Sequence, residues 1–369
     1  MIARMPRLTT IRCHHGRLRA GGIVITLLII ALLLVVWIYT NSNVKASLAF
    51  SLIETSVRLP PKVISDLHQY PPLKIADLEE FPEVGPCRIQ KIIHQTWIDE
   101  NIPKQFQPWV LSFHKNHPEF MYTFWTDKTA RQFISDRYPY LISTYDNYGE
   151  NIRRADAMRY MILYEYGGVY ADLDLHSLNP LDPIMRKYSC FLAQEPLEHP
   201  MLDDNLDKLV INAFMACRKR HPFMKILIDR LPLFSTMSFV LDSTGPHFVN
   251  LHYEIYVEQR KYKSVLDEDG VYLAPPEYFF PTLDPDKYRF FLKRCASFES
   301  LKERQKLACV SLYRRGLDRK PLPYSFTNHV WFHTYFTFDR TITFNVFKEI
   351  PSSHVYINGT LKLVKYLVK

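Results

Sequence analysis

NIRRADAMRYMILYEYGGVYADLD, residues 151–174, reads as a helix, a stop, a strand and a pair of acids in one compact unit. Asp156 and Arg159 stand three apart and share a helix face. Met158, Tyr160, Met161, Ile162, Leu163 and Tyr164 carry enough apolar surface to bury most of that helix. Gly167 and Gly168 end it, because the left-handed residue that closes a helix favours glycine. Val169 to Leu175 then reads as a short strand, and alternation along it turns Asp172 and Asp174 to the same side. Two carboxylates so placed form a hard-oxygen site for a divalent cation, which can in turn hold a diphosphate.

The same triplet recurs at Asp267/Asp269 and Asp284/Asp286, in polar or proline-broken segments that read as solvated turns. Context separates the first pair from these. Upstream, Lys91 to Trp97 and Phe120 to Trp125 read as strands, with helices over Pro108–Asn116 and Thr129–Asp136. This alternation predicts an α/β fold with a mostly parallel sheet and flanking helices. Trp97, Asp127, Asp172 and Asp174 all fall at carboxyl ends of strands, where such sheets bind ligands.

ADAMRYMILYEYGGVYADLD resembles the signature of glycosyltransferase family 32, which includes yeast initiating mannosyltransferases and inositol-phosphoceramide mannosyltransferases. The likeness extends, in order, to KIIHQTWIDENIP at 91–103, FWTD at 124–127 and STGP at 243–246, spanning roughly 88–340. It implies a GT-A fold and a retaining transferase that uses a nucleotide sugar with Mn2+ or Mg2+. By resemblance, Asp174 binds the metal and Asp172 contacts metal or ribose, the two acting as the catalytic pair. Asp156 and Arg159 hold the donor sugar and its ribose. Trp97 stacks on the base, with a core tryptophan as the alternative; Tyr170 is a donor-site or a core residue. Thr244, Gly245 and Pro246 line the donor pocket or form a plain turn. Relatives close the domain with His, four residues and Ser-Trp; here His329 precedes VWFH and Thr334-Tyr335. His329 is the candidate third metal ligand, with His333 and Asn328 as competitors. The resemblance favours mannose from GDP-mannose moved to a glycan or glycolipid, with inositol-phosphoceramide among the acceptors it implies. A UDP-sugar-dependent α-1,4-galactosyl or N-acetylglucosaminyl transferase, or a silent sugar-binding protein, are the alternatives.

The 369 residues are 47% hydrophobic, ample for one large core or two lobes. Residues 1–20 hold five arginines and no acid, and 21–39 is an uncharged run of bilayer-spanning length. We expect a cytosolic tail, an uncleaved anchor rather than a signal peptide, a proline-rich stem over 40–86, a catalytic domain over 87–340 and a lumenal extension over 341–369. This is a single-pass type II arrangement in the Golgi or endoplasmic reticulum. Without the five arginines the net charge of +8 falls to +3, no nucleic-acid footprint. The basic run 287–320 reads as a solvated helical face or as a surface leaning on anionic lipid. Cys13 is cytosolic on this topology, and the odd number of the rest leaves at least one of Cys87, Cys190, Cys217, Cys295 and Cys309 unpaired within the chain. Oligomeric state is not legible.

Overall fold

The computed structural model describes residues 56–74, 78–333 and 340–366. The expected tail and anchor, Cys13 and the Thr334-Tyr335 pair lie outside the described residues. Among the described residues no helix is long and apolar enough to cross a membrane.

Twelve strands form among the described residues: β1 Ile92–Trp97, β2 Asn101–Pro103, β3 Met121–Thr126, β4 Gly168–Ala171, β5 Leu175–Ser177, β6 Cys190–Gln194, β7 Val210–Cys217, β8 Tyr272–Leu273, β9 Thr327–His329, β10 Thr343–Asn345, β11 His354–Ile357 and β12 Thr360–Leu363. The main sheet runs β12-β11-β3-β1-β4-β7-β6-β8. Only β7 and β12 oppose the others. The expected mixed α/β fold with a mostly parallel sheet is therefore present. The principal helices are α1 Gln107–Asn116, α2 Asp127–Arg137, α3 Asn151–Tyr166, α4 Pro222–Phe234, α5 Pro246–Gln259, α6 Tyr288–Ala296 and α7 Glu303–Arg315.

Strand alternation divides the core into two layers. Ile93, Phe124, Val169 and Phe191 face Val110 and Phe113 of α1, whereas Trp125, Tyr170, Leu192 and Met215 face α3 and α4 through Met158, Met161, Phe223 and Leu227. Thr126 caps α2 by exchanging hydrogen bonds with Thr129, so the first helical residue, Asp127, sits at the end of β3. A third apolar cluster joins Phe291, Cys295, Cys309 and Leu312 of α6 and α7 to Leu202.

Several expectations are corrected. Val57, Leu59 and Val63 belong to that third cluster, and Glu79 meets Lys187, Tyr188 and Tyr272. Folded contacts thus begin ahead of Cys87, although proline density there suggests an extended stem; prolines do not prevent a segment from packing on a body already formed. Residues 354–363 likewise complete the main sheet through β11 and β12 rather than trailing from it. The basic run 287–320 is only partly solvated: Arg289, Lys293, Lys302 and Lys320 are exposed, but others are held by the body. Lys287 pairs with Asp203, Arg304 with Asp207 and Arg319 with Glu198, and Arg314 donates to the Leu67 carbonyl. Cysteine pairing follows the odd count: Cys190–Cys217 and Cys295–Cys309 are bonded, and Cys87 is free.

Candidate active site

Parallel β3, β1 and β4 are neighbours, so Asp127, Trp97 and Asp172 leave the same edge of the sheet. Above that edge α3 delivers Asp156 and Arg159. Gly167 and Gly168 make this possible, at φ +68° and +100°. A Cβ on Gly168 would stand 2.5 Å from the Ile92 carbonyl oxygen, so the turn brings β4 against β1 only with glycine there. His94 braces the same corner through a 2.9 Å bond between its Nε2 and the Gly167 carbonyl, and burial pulls its pKa down to about 4.

The expected strand over 169–175 breaks in two. β4 stops at Ala171, a turn spans Asp172–Asp174, and β5 starts at Leu175. Pairing decides the break: Asp172 N–H still bonds the Ala213 carbonyl of β7, while Leu175 faces His329 of β9. The carboxylates converge through this turn, not through strand alternation.

Arg159 is the hub. Its guanidinium lies 3.0 Å from Asp156 Oδ1 and 3.3 Å from Asp172 Oδ1, donates to the Asn212 carbonyl at 2.7 Å, and stacks 4.4 Å from the Tyr170 ring centre. Asp156 and Arg159 are both buried. This is no surface salt bridge. Asp156 also accepts from Asn212 Nδ2 at 2.9 Å and from Thr244 Oγ1 at 3.0 Å. Burial nevertheless pushes its carboxyl up to about 6, against the pull of Arg159 and those two bonds. Tyr170 is fully buried, and its hydroxyl donates to Asp172 Oδ1 at 2.9 Å, so packing and site contact coincide in one side chain.

Asp172 and Asp174 differ in environment. The Asp172 side chain is about a third exposed, and its Oδ2 has no protein partner among the described residues. Burial raises its pKa, with Arg159 opposing and Asp174 adding to the rise. Asp174 is buried and accepts from the Phe332 N–H at 2.8 Å, with His329 Nε2 3.2 Å from its Oδ1. Burial raises it too, but His329 and the Phe332 N–H outweigh that and hold it below the usual carboxylate range. Burial pulls the His329 pKa down, but Asp174 outweighs it and raises it, so Nε2 faces Asp174 as a proton donor, while the Trp331 N–H lies 3.3 Å from Nδ1. His329 thereby orients Asp174. The residues fit a hard divalent cation through the uncommitted Oδ2 of Asp172, with Asp174, whose oxygens meet His329 and the Phe332 N–H, beside it.

The remaining expected residues sort as follows. Thr244 holds Asp156, and Gly245 opens α5 immediately afterwards. Trp97 is half-buried against Phe106, with the Arg340 guanidinium 6.0 Å over its ring. Asn328 bonds Thr282 and not the acids. His333 lies 2.9 Å from Asp284 Oδ2, away from Asp174. Asp284 is therefore no solvated turn: it is 1% exposed, and its Oδ1 accepts the Asp286 N–H. Asp267 and Asp269 do lie in an outer turn, where Arg218 holds Asp269 at 2.6 Å. Asn212 and Tyr160, whose hydroxyl receives a bond from Asn212 at 3.0 Å, were not singled out from sequence. A lone asparagine within the otherwise apolar VINAFMAC of β7 was the available signal.

Residues 103–191 match the family model of the glycosyltransferase sugar-binding region containing a DXD motif. The chain carries a DXD glycosyltransferase region. This DXD region holds Asp156, Arg159, Tyr170, Asp172 and Asp174, while Trp97, Thr244 and His329 lie outside it. Inositol phosphoceramide mannosyltransferase 3 of Schizosaccharomyces pombe is 34% identical over 196 residues, 52% of this chain and 51% of that protein. Mannosyl phosphorylinositol ceramide synthase SUR1 of Saccharomyces cerevisiae is 35% identical over 180 residues, 47% of this chain and 44% of its own length. The initiation-specific alpha-1,6-mannosyltransferase of the same yeast is 29% identical over 102 residues, 26% of this chain and 21% of that protein. The chain thus spans about half the length of the first two relatives. Among solved structures, the PaToxG glycosyltransferase aligns at 16% identity with a TM-score of 0.37, over 61% of this chain and 86% of that one.

Proposed function

We propose that this protein is a metal-dependent retaining glycosyltransferase that moves mannose from GDP-mannose to a glycan or glycolipid acceptor, with inositol-phosphoceramide the favoured acceptor. The carrying observation is the convergence, at one sheet edge, of Asp172, Asp174 and the buried Asp156–Arg159 pair. The names of the relatives support the mannosyl and phosphoinositol-ceramide assignment. Two disulfides support an oxidising compartment, in keeping with a lumenal domain behind an anchor at 21–39 in the Golgi or endoplasmic reticulum.

Asp172 and Asp174 would hold Mn2+ or Mg2+. Such an ion, when bound, neutralises charge gathering on the departing nucleoside diphosphate. The chain's own residues do the rest by positioning. Arg159 is fixed by three partners and presents a cation to the donor side of Asp172. Asp156 meets the donor sugar hydroxyls, held in place by Asn212 and Thr244. His329 and the Phe332 N–H keep Asp174 ionised and oriented. Retention follows from attack on the face that the diphosphate leaves, with the leaving oxygen taking the acceptor proton. No protein nucleophile is required.

The test is donor hydrolysis by the full-length protein in detergent with Mn2+, across GDP-mannose, UDP-galactose, UDP-N-acetylglucosamine and UDP-glucose. We expect turnover of GDP-mannose, lost with chelator and in Asp174→Ala. Turnover of a UDP-sugar instead would replace the donor assignment. Absence of both turnover and metal-dependent binding for every donor would sink the enzyme reading.

A further inference from the structure

The crevice opens beside a surface that donor chemistry does not use. Between α4 and α5 the chain reads LPLFSTMSFVL from Leu231 to Leu241, without a charged side chain. Leu233 is 68% exposed and Phe239 73%, and Met237 and Leu241 are exposed as well. Leu251 and Ile255 of α5 are exposed too, on the helix flank that carries Phe248 and His252, whose rings pack on Phe234. Two links join this surface to the site. Arg153, one helical turn before Asp156, donates to the Met237 and Ser238 carbonyls at 2.8 and 2.9 Å. At its other end, the turn from Val240 leads straight into Thr244, whose hydroxyl holds Asp156. The apolar surface is thus a rim of the site, joined to Asp156 at both ends.

We infer that this rim docks on a lipid bilayer and so presents the crevice to an acceptor embedded there. The inference rests on the lipid-acceptor reading proposed above. Contiguous exposed apolar patches mark interaction surfaces, and the composition of this one selects lipid as the partner. Within 231–241 large apolar side chains alternate with the hydroxyls of Ser235, Thr236 and Ser238, so that this segment brings no charge into the headgroup–acyl boundary, while the acids Glu254 and Glu258 stand on the α5 side. The chain outside the described residues adds a second argument. The uncharged run 21–39 ends only residues 40–55 before Ser56, and those residues reach at most about 55 Å when extended. Val57, Leu59 and Val63 then share the apolar cluster of Leu202. The helix carrying Leu202 ends at Asp203, and the next residue, Asp204, lies 3.5 Å from Nε2 of His247, whose Nδ1 bonds Asp242 at the rim at 2.9 Å.

The test uses the full chain in phospholipid nanodiscs, with Cys13→Ser and Cys87→Ser, and a nitroxide introduced through Phe239→Cys. The reference label enters through Tyr262→Cys, a 91% exposed position beyond the far end of α5, which is about 21 Å long. We expect the label at 239 to be reached readily by oxygen and to be at least about fivefold less accessible to a water-soluble nickel complex than the label at 262. Equal nickel accessibility at both positions overturns the inference. Shielding from nickel without a gain in oxygen access means a protein contact and overturns it too. In kinetics, Phe239→Ser with Leu241→Ser should raise KM for bilayer-embedded acceptor about tenfold and leave donor hydrolysis unchanged. A parent protein that hydrolyses no donor refutes the enzyme reading alone, because the label accessibilities still decide the docking.

Discussion

Asp156→Asn tests the electrostatics at the centre of the site. The Asp156 carboxyl is enclosed, yet burial outweighs Arg159, Thr244 and Asn212 and lifts it from 3.8 to about 6. The folded state therefore holds a proton that the unfolded state has already released between those values. Stability falls as pH rises through that window, and the penalty is complete above pH 6. The gap is worth about 3 kcal/mol. Asparagine keeps the shape and accepts from Arg159 and Asn212, while Thr244 can turn its hydroxyl to receive the amide, but it never ionises. For a folded body of roughly 300 residues, 3 kcal/mol corresponds to about 4–5 °C in Tm. Melting should be followed at pH 4, 5, 6 and 7, with chelator and without donor. The difference in Tm, variant minus parent, should rise by that amount from pH 4 to pH 7, nearly all of it below pH 6.5. An offset that does not change with pH would refute the reasoning, whatever its sign.

Three further outcomes follow from the same geometry. Gly168→Ala puts a Cβ 2.5 Å from the Ile92 carbonyl oxygen at φ +100° and should cost at least about 2 kcal/mol in denaturant unfolding; a cost under half of that would show that the α3–β4 turn relaxes freely. Glu198 is buried against burial's upward pull because Arg319, at 2.6 and 3.1 Å, holds its carboxyl at about 2. Its stabilising effect is present above about pH 4.5 and lost as pH falls towards 2, so Glu198→Gln should lose about 3 kcal/mol at pH 7 and converge with the parent in acid. Thr244→Val removes one donor to Asp156 while keeping the volume, and should cost about 1–3 kcal/mol of stability. It should also weaken donor binding, which titration calorimetry with the nucleotide sugar would measure.

Local patterns carried the part of the fold that local physics decides. Helical spacing placed α3, and the glycine pair placed its end, because a positive φ beside the Ile92 carbonyl admits nothing else. Apolar runs placed β1 and β3 to within a residue. What escaped depends on partners distant in the chain. The break at Asp172 exists because β5 pairs with β9, some 150 residues onward, while β4 pairs with β7. Asn212 matters only because β7 runs against β4 and so brings its first residues to the edge where β4 ends. Short β11 and β12 carry too little periodicity to announce themselves, yet they extend the sheet beside β3.

Two Asp-x-Asp triplets, each with one buried and one more open carboxylate, show where the boundary lies. Asp172 and Asp284 share a sequence spacing, and burial of their neighbourhoods does not separate them. Their unused valence does. Asp284 gives one oxygen to a backbone N–H and the other to His333, and is 1% exposed. A cation there would displace one of those bonds, as it would at Asp174, whose oxygens meet the Phe332 N–H and His329. Asp172 gives Oδ1 to Arg159 and Tyr170 and leaves Oδ2 towards the crevice with a third of its side chain open. Arg159 accounts for the difference. A buried arginine neutralises the inner oxygen and lets the outer one remain uncommitted without a large desolvation cost. The helix, glycine pair and strand that precede Asp172 are what set that arginine one layer above it. The sequence context that singled out this triplet was therefore a record of its electrostatic support, and, on the metal-site reading proposed above, Arg159→Met should weaken Mn2+ binding in calorimetry while leaving the Asp284–His333 contact in place.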